Sequence, residues 1–198
     1  MSSTGSAISW WRDPRRLLLI GISGLSVLYP VLVWLYRGAV APSLFVLFAL
    51  LLVGVRMALM APDRSQPWRF SLAAVAVFLV VLAAFDVDFG TKAYPVLLSL
   101  AASYVFAQSL LSPPSLIERM ARMRRATISE GLRTYCRNLT VIWAVWLVVN
   151  AVVAAVLAVH GSDSAWALWT GCLSYVLSGI LLVGEMGARR AVLRKQDT

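Results

Sequence analysis

The sequence predicts an all-α fold: a polytopic membrane protein with about six transmembrane helices and one cytoplasmic amphipathic helix. Three observations support this. Hydrophobic residues make up 60% of the 198 positions, and the mean hydropathy of +0.79 is too high for a water-facing surface. The apolar residues form six runs near the roughly 20 residues that a helix needs to cross a bilayer core. The net charge of +9 is confined to the segments between these runs, which favours a membrane protein over a nucleic-acid-binding one.

The six runs are expected to be helices, because only helices and closed barrels satisfy the backbone in lipid. We assign all of them to a single transmembrane domain over residues 1–198. The predicted spans are 17–36, 39–60, 70–85, 93–111, 139–159 and 165–184. The first run has no small-residue cleavage site after it, so it is predicted to be a retained span rather than a signal peptide. The third run is the shortest and would need tilted neighbours or a thinner bilayer.

Positive charge orients these spans. Lys and Arg near span ends are retained on the cytoplasmic side. With the N-terminus inside, sixteen of the eighteen basic residues are cytoplasmic, and only Arg37 and Lys92 are outside. This asymmetry predicts an even number of spans with both termini in the cytoplasm.

A basic segment follows the fourth span, which Pro113 and Pro114 end because proline has no amide hydrogen. Residues from about 115 to 126 are predicted to form an amphipathic helix in the membrane interface. Its apolar side holds Leu116, Ile117, Met120 and Met123, and its charged side holds Glu118, Arg119, Arg122 and Arg125. The charged residues are predicted to bind lipid headgroups or an acidic partner. The alternative is a helical loop that only sets the orientation.

Polar residues inside the spans are costly unless they are paired, so each is a candidate site. They are Gln108 in the fourth span, Asn150 in the fifth, and Ser174, Ser178 and Glu185 in the sixth. One interpretation is helix packing, in which small residues and a bridging amide join neighbouring helices. The other is that Gln108, Asn150 and Glu185 line a cavity for the polar head of an amphiphile. Glu185 is also expected to pair with Arg189, one turn further on.

Catalytic and metal-binding patterns are missing from the sequence. His160 is the only histidine, which excludes a Ser-His-Asp triad and any multi-histidine metal site. Cys136 and Cys172 lie near opposite faces on the predicted topology, so they are not expected to pair. We therefore predict no catalytic residue, no metal and no cofactor. An enzyme is less favoured than a non-catalytic protein, and this choice stays open.

The tetrapeptide YPVL occurs twice, at Tyr29 and at Tyr94. Two sets of three spans would place the copies in opposite orientations, as in transporters with inverted repeats. One copy lies late in its span and the other at the start, so they are out of register. We interpret the match as chance.

The half of the chain from Tyr94 to Arg190 carries a family resemblance. Its motifs are YPVLLSL, PPSLIERMAR, YCRNLTVIWAVWLVVNAVVA and WALWTGCLSYVLSGILLVGE. They resemble the uncharacterised small membrane proteins of bacterial aryl-polyene and xanthomonadin-type pigment clusters. A more distant similarity to intracellular septation protein A rests on Pro114, Leu116, Ile117, Asn150 and Trp166. The resemblance implies a bacterial inner-membrane protein that is accessory to an acyl or polyene pathway.

Three functions are consistent with these observations. The first is a non-catalytic accessory protein that recruits or hands over acyl-type intermediates, with membrane lipids and an acyl carrier protein or a hydrophobe exporter as partners. The second is a membrane scaffold for envelope or septum assembly, and the third is a small lipid transporter or flippase subunit. A homo-oligomer is left open, and no nucleic-acid partner is expected.

Overall fold

Six long apolar spans make up most of the described part of the chain, residues 14–60, 66–123 and 129–194 of a computed structural model. In chain order the elements are α1 Pro14–Tyr36, α2 Pro42–Leu59, α3 Gln66–Phe85, α4 Val87–Leu111, α5 Leu116–Arg122, α6 Glu130–His160, α7 Asp163–Leu168, a π-helical turn Trp169–Leu173 and α8 Ser174–Arg194. The sixth span consists of α7, the π turn and the first part of α8. The all-α, six-span prediction is confirmed, and by the length and composition of its helices the chain is a multi-pass membrane protein.

The third, fourth, fifth and sixth spans are longer than their predicted bounds. α3 has 20 residues, about 30 Å at 1.5 Å per residue, so it matches the thickness of a bilayer core. α6 has 31 residues, about 46 Å, because the polar segment before its apolar run continues the same helix. Ser129 caps this helix by accepting a hydrogen bond from the backbone N–H of Leu132 at 3.4 Å.

The connections from α1 to α2 and from α3 to α4 are short, and each uses a glycine. Gly38 has a φ of 90°, where any side chain would be strained. Gly90 lies against α3, and an added Cβ would stand 2.8 Å from Cα of Ala83. Asp86 alone separates α3 from α4, and its carboxylate accepts a hydrogen bond from the N–H of Phe89 at 3.1 Å. These features fold the two hairpins tightly.

α4 is the central helix of the bundle. It packs mainly against α6 and α3 and also against α2, while α1 packs against α2, α7 and the π turn. The main core contains residues of α1, α2, α3, α4, α6 and α7, and its largest buried side chains are Trp166, Tyr29 and Tyr94. A second, small cluster joins α5 to α6 through Ala121, Leu132 and Cys136. Many large apolar side chains on the long helices are exposed, as expected for faces that contact lipid.

Contacts between helix ends define two faces of the bundle. Arg37 after α1, Asp88 in the first turn of α4 and Asp163 at the start of α7 lie together. On the other face, Arg137 near the start of α6 donates a hydrogen bond to the carbonyl of Leu110 at the end of α4. We term this second face the basic end and the first the opposite end. α1 therefore ends at the opposite end, where α4 and α7 begin, and α4 ends at the basic end, where α6 begins.

Candidate functional site

Arginine side chains hold the backbone where α4 ends. Helix ends leave carbonyl groups without an intrahelical partner, and Pro113 and Pro114, joined by a cis peptide bond, have no N–H to offer. Arg119 donates from Nε to the carbonyl of Pro114 at 2.8 Å and from Nη2 to the carbonyl of Ser112 at 3.0 Å. Arg119 therefore stabilises the turn after α4, in addition to any contact with a partner.

Glu118 is only 2% exposed, although the sequence pattern placed it on the outward, charged side of α5. That part of the prediction is wrong. Its Oε1 accepts hydrogen bonds from Arg122 Nη2 at 2.6 Å and from Arg122 Nε at 3.1 Å. Arg133 Nε lies 3.9 Å from the same oxygen. The carboxylate can be buried because two guanidinium groups offset its charge.

α5 packs against α6 through the side that carries Glu118 and Ala121, both of which are buried. Met120 and Met123, predicted to form the apolar side, are 55% and 81% exposed. α5 therefore packs on α6 through Glu118 and Ala121, which leaves the two methionines free for the lipid contact that the sequence predicts. Arg125, the fourth charged residue of the prediction, lies outside the described residues, as does the predicted end of the helix near 126.

A cavity of about 270 Å³ opens at the basic end, between the end of α4, α5 and the first turns of α6. It is lined by Pro113, Ser115, Glu118, Glu130, Arg133, Thr134 and Arg137. The four residues from α6 follow the spacing i, i+3, i+4 and i+7, which places them on one helix face. That spacing is visible in the sequence, but we did not predict Ser115, Arg133 or Arg137 as site residues.

Ser115 is the unusual member of this cavity. It lies directly before α5 and is 3% exposed. A serine in that position ordinarily accepts a hydrogen bond from the first turn of the helix, but Ser115 makes no such cap bond. Its hydroxyl has no hydrogen-bond partner among the residues that the structure describes. A buried hydroxyl without a partner is unfavourable, and a bound ligand would satisfy it.

Asn150 joins three elements of the bundle within the membrane-spanning region. Its Nδ2 donates a hydrogen bond to Ser99 Oγ of α4 at 2.9 Å. Its Oδ1 accepts one from Trp169 Nε1 of the π turn at 3.0 Å. Gln108 lies about 13 Å further along α4 than Ser99, at 1.5 Å per residue. The contacts of Asn150 thus support helix packing, and they do not bring Gln108 to it.

Polar groups of the sixth span also form hydrogen bonds with α6. Ser178 Oγ accepts a hydrogen bond from Trp146 Nε1 of α6 at 2.8 Å and donates one to the carbonyl of Ser174 at 2.7 Å. Tyr135 donates its hydroxyl proton to the backbone carbonyl of Glu185 at 3.0 Å. The expected pairing of Glu185 with Arg189 lies outside the described side chains. Gln108 Oε1 is buried, and none of the described residues donates a hydrogen bond to it.

The opposite end holds an ion network that the sequence analysis did not predict. Lys92, 9% exposed, places Nζ 2.7 Å from Asp163 Oδ1 and donates to the carbonyl of Ala158 at 3.5 Å. Arg37 pairs with the same Asp163 oxygen and, at 3.5 Å, with Asp88. The network ties together α4, α6, α7 and the residue after α1. Its sequence signal was available, since Arg37 and Lys92 are the two basic residues excluded from the basic end.

Metal-ligand chemistry has no visible basis in the described residues, among which no group of three or more His, Cys, Asp or Glu side chains could hold an ion. The polar groups converge instead at the cavity of the basic end and at the ion network of the opposite end. The family resemblance of the second half of the chain remains a prediction. No family model matches the chain, and no curated protein or solved structure matches it.

Proposed function

We propose that this protein recruits acyl-bearing intermediates, or hands them over, at the cytoplasmic face of a bacterial inner membrane, without catalysing a reaction itself. One observation carries the proposal: exposed arginines surround the cavity of the basic end. Arg122 and Arg133 have side chains that are 54% and 50% exposed, and Arg119 and Arg137 are exposed as well. We term these four residues the arginine surface.

The distribution of charge supports a cytoplasmic location for this surface. Basic residues near span ends are retained in the cytoplasm. The bundle collects the arginine surface at one end, and it leaves Arg37 and Lys92 at the other, where carboxylates engage both. Among the described residues, the four members of the arginine surface have only two acidic partners, Glu118 and Glu130, so the surface keeps a positive charge that can attract a partner of opposite charge.

The chemistry of the surface suits an acidic partner that carries an acyl chain. Clustered arginines steer acidic proteins towards a docking site and raise the rate of association. Met120 and Met123 lie exposed beside them, and a flexible thioether side chain adapts to varied apolar surfaces. Acyl carrier proteins combine both properties, and the resemblance to pigment-cluster proteins points to the same pathway class.

A double substitution that removes two positive charges tests the proposal. Arg119→Gln with Arg122→Gln removes two positive charges but keeps side chains that can donate hydrogen bonds to the nearby carbonyls and to Glu118. Co-purification with an acidic acyl carrier protein should weaken about tenfold and should fall further as salt is added. Arg56→Gln with Arg69→Gln is the matched control, because these residues lie at the same end away from the cavity lining.

The melting temperature in detergent shows whether each variant is folded. Equal carrier binding by both folded double variants would contradict recruitment through the arginine surface. Loss of binding in both would show that only the net charge matters, which also contradicts a specific surface.

A membrane scaffold is the second candidate. It is favoured because the polar groups of Asn150, Ser178 and Ser103 are all used in bonds that join helices, the last from Ser103 Oγ to the carbonyl of Ala144 at 2.8 Å. The same bonds count against a lipid transporter, which needs a polar route through the bundle. Enlarging Ser103 to Leu should abolish a scaffold function while leaving carrier binding intact.

A further inference from the structure

The cavity at the basic end has a surplus of positive charge. Three arginines lie in or beside it against two glutamates: Arg122, Arg133 and Arg137 against Glu118 and Glu130. Glu130 is 86% exposed, so water screens it strongly. The N-terminus of the long helix α6 adds a partial positive charge at the same place. The cavity is therefore suited to an anion of low charge.

Hydrogen-bond donors are available to such an anion. The two ion pairs of Arg133 measure 3.9 Å to Glu118 and 4.0 Å to Glu130, which is longer than a hydrogen bond. Arg137 donates from Nη1 to the carbonyl of Leu110 at 3.2 Å, and its other N–H groups can bind elsewhere. Ser115 supplies a buried hydroxyl that has no partner in the described part of the chain.

The volume of the cavity limits what fits. About 270 Å³ is slightly below the ~300 Å³ at which pockets for drug-sized ligands begin. A phosphate with a short polar substituent fits, and a whole acyl chain does not. A phosphate group presents only acceptor oxygens in its ionised form, and planar guanidinium groups match its geometry.

We propose that this cavity is a binding site for a phosphate ester, with Arg133 and Arg137 on the phosphate oxygens and the Ser115 hydroxyl as a further donor. The phosphate has two possible sources: the headgroup of a membrane lipid, or a soluble ester that approaches from the aqueous phase. The site does not depend on the docking of an acyl carrier, so it goes beyond the function proposed above.

Two probes distinguish the sources, each used with the full-length protein in nanodiscs. The first is glycerol 3-phosphate, titrated onto protein in phosphatidylcholine nanodiscs and followed by calorimetry. The second is phosphatidic acid, mixed into the nanodiscs and followed by native mass spectrometry of the lipid that the protein retains. The variants are Arg133→Gln and Ser115→Ala, with Arg69→Gln as the matched control for loss of one charge at the same end.

Arg133→Gln should weaken the binding of at least one probe about tenfold, because it removes a charge-assisted donor. Ser115→Ala should weaken it about threefold, and Arg69→Gln should leave it unchanged. Binding of phosphatidic acid alone would identify a lipid headgroup as the source, and binding of glycerol 3-phosphate would identify a soluble ester. Both results support the site.

The proposal is overturned if neither probe binds, if Arg133→Gln binds as the wild type does, or if Arg69→Gln loses as much affinity as Arg133→Gln. Melting temperatures show whether the variants are folded. If Arg133→Gln does not fold, Ser115→Ala decides the outcome, because it removes only a hydroxyl to which no described residue bonds. Unchanged affinity in that variant then overturns the site.

Discussion

Tyr29 and Tyr94 pack against each other edge to face in the centre of the bundle, with ring centroids 4.7 Å apart and ring planes at 63°. Each is the first residue of one YPVL tetrapeptide. Both rings are almost completely buried. The Tyr29 hydroxyl donates to the carbonyl of Thr91 at 2.9 Å, and the Tyr94 hydroxyl shares a hydrogen bond with Ser26 at 3.0 Å. The two copies therefore join α1 to α4 directly, which their position out of register did not suggest.

This pair should contribute strongly to stability. Tyr29→Ala should lower the free energy of unfolding in detergent by about 3 to 5 kcal/mol, because it leaves a large cavity. Tyr29→Phe should lower it by about 1 kcal/mol, because only the hydroxyl is lost, with its hydrogen bonds to the carbonyls of Thr91 and, at 3.4 Å, Phe45. Tyr104→Phe is the control, since Tyr104 is 52% exposed, and it should change nothing. Equal stability of the wild type and Tyr29→Ala would contradict the packing.

Removing the Asn150 amide should loosen the junction of α4, α6 and the π turn. Asn150→Leu leaves the indole N–H of Trp169 and the hydroxyl of Ser99 without this partner. Hydrogen bonds between membrane helices contribute about 0.6 kcal/mol each on average, so we expect a loss of about 1 kcal/mol. Unfolding followed by tryptophan fluorescence measures it. Val152→Leu, on a 55% exposed position of the same helix, should have no effect, and a stable Asn150→Leu would argue against a packing role.

The pair of Lys92 and Asp163 should show measurable coupling. A double-mutant cycle with Lys92→Met and Asp163→Asn is expected to give about 1 kcal/mol, reduced from that of a fully buried pair because Asp163 is 41% exposed. The reference cycle is the exposed pair of Arg133 and Glu130, 4.0 Å apart, which should give almost no coupling. Similar values from both cycles would mean that the network at the opposite end adds little stability.

Loss of the Glu118 carboxylate should release α5 from α6. Glu118→Ala leaves Arg122 without its short ion pair, and we expect docking of α5 to weaken by about 1 to 2 kcal/mol. Limited trypsin digestion after Arg119 and Arg122 should therefore become several-fold faster. Glu130→Ala removes an 86% exposed carboxylate and should leave the digestion rate as it is. Slow cleavage in both variants would contradict the assignment of Glu118 as an anchor.

A methyl group added at Gly90 should disturb the α3–α4 hairpin. The new Cβ would lie 2.8 Å from Cα of Ala83, and overpacking of this kind costs about 1 to 3 kcal/mol. Gly54→Ala is the matched substitution, because nothing lies within 4 Å of its Cβ position. It should leave stability equal or raise it by up to about 1 kcal/mol, since alanine favours the helix. Melting temperatures in detergent compare the two variants, and equal melting points would contradict the close approach.

The six spans could be predicted from the sequence because the length of an apolar run is a local property. α3 begins one turn before its apolar run, at Gln66, a polar residue that hydropathy excludes. The helix of α6 extends beyond its apolar run for the same reason. Hydropathy reports where lipid contact ends, whereas a helix ends where its backbone hydrogen bonds end.

The inward face of α5 could not be predicted in the same way. A helical pattern assigns apolar residues to the buried side on the assumption that lipid is the partner. Here α6 is a partner of α5, and it supplies Arg133 to a buried Glu118. The ion pair of Lys92 and Asp163 likewise depends on which helix ends lie together, and the hydropathy pattern of the sequence does not contain that information. Helix packing was one of the two interpretations of Asn150 and Ser178, and their tryptophan partners were not predicted.

The 31 residues of α6 have a geometric consequence for any partner. An untilted helix of that length extends about 16 Å beyond a 30 Å hydrocarbon core. The extra turns continue the helix outside the hydrocarbon core, and α5 packs against α6 there. A molecule that approaches along the membrane normal therefore meets arginine side chains at a fixed height before it reaches the lipid.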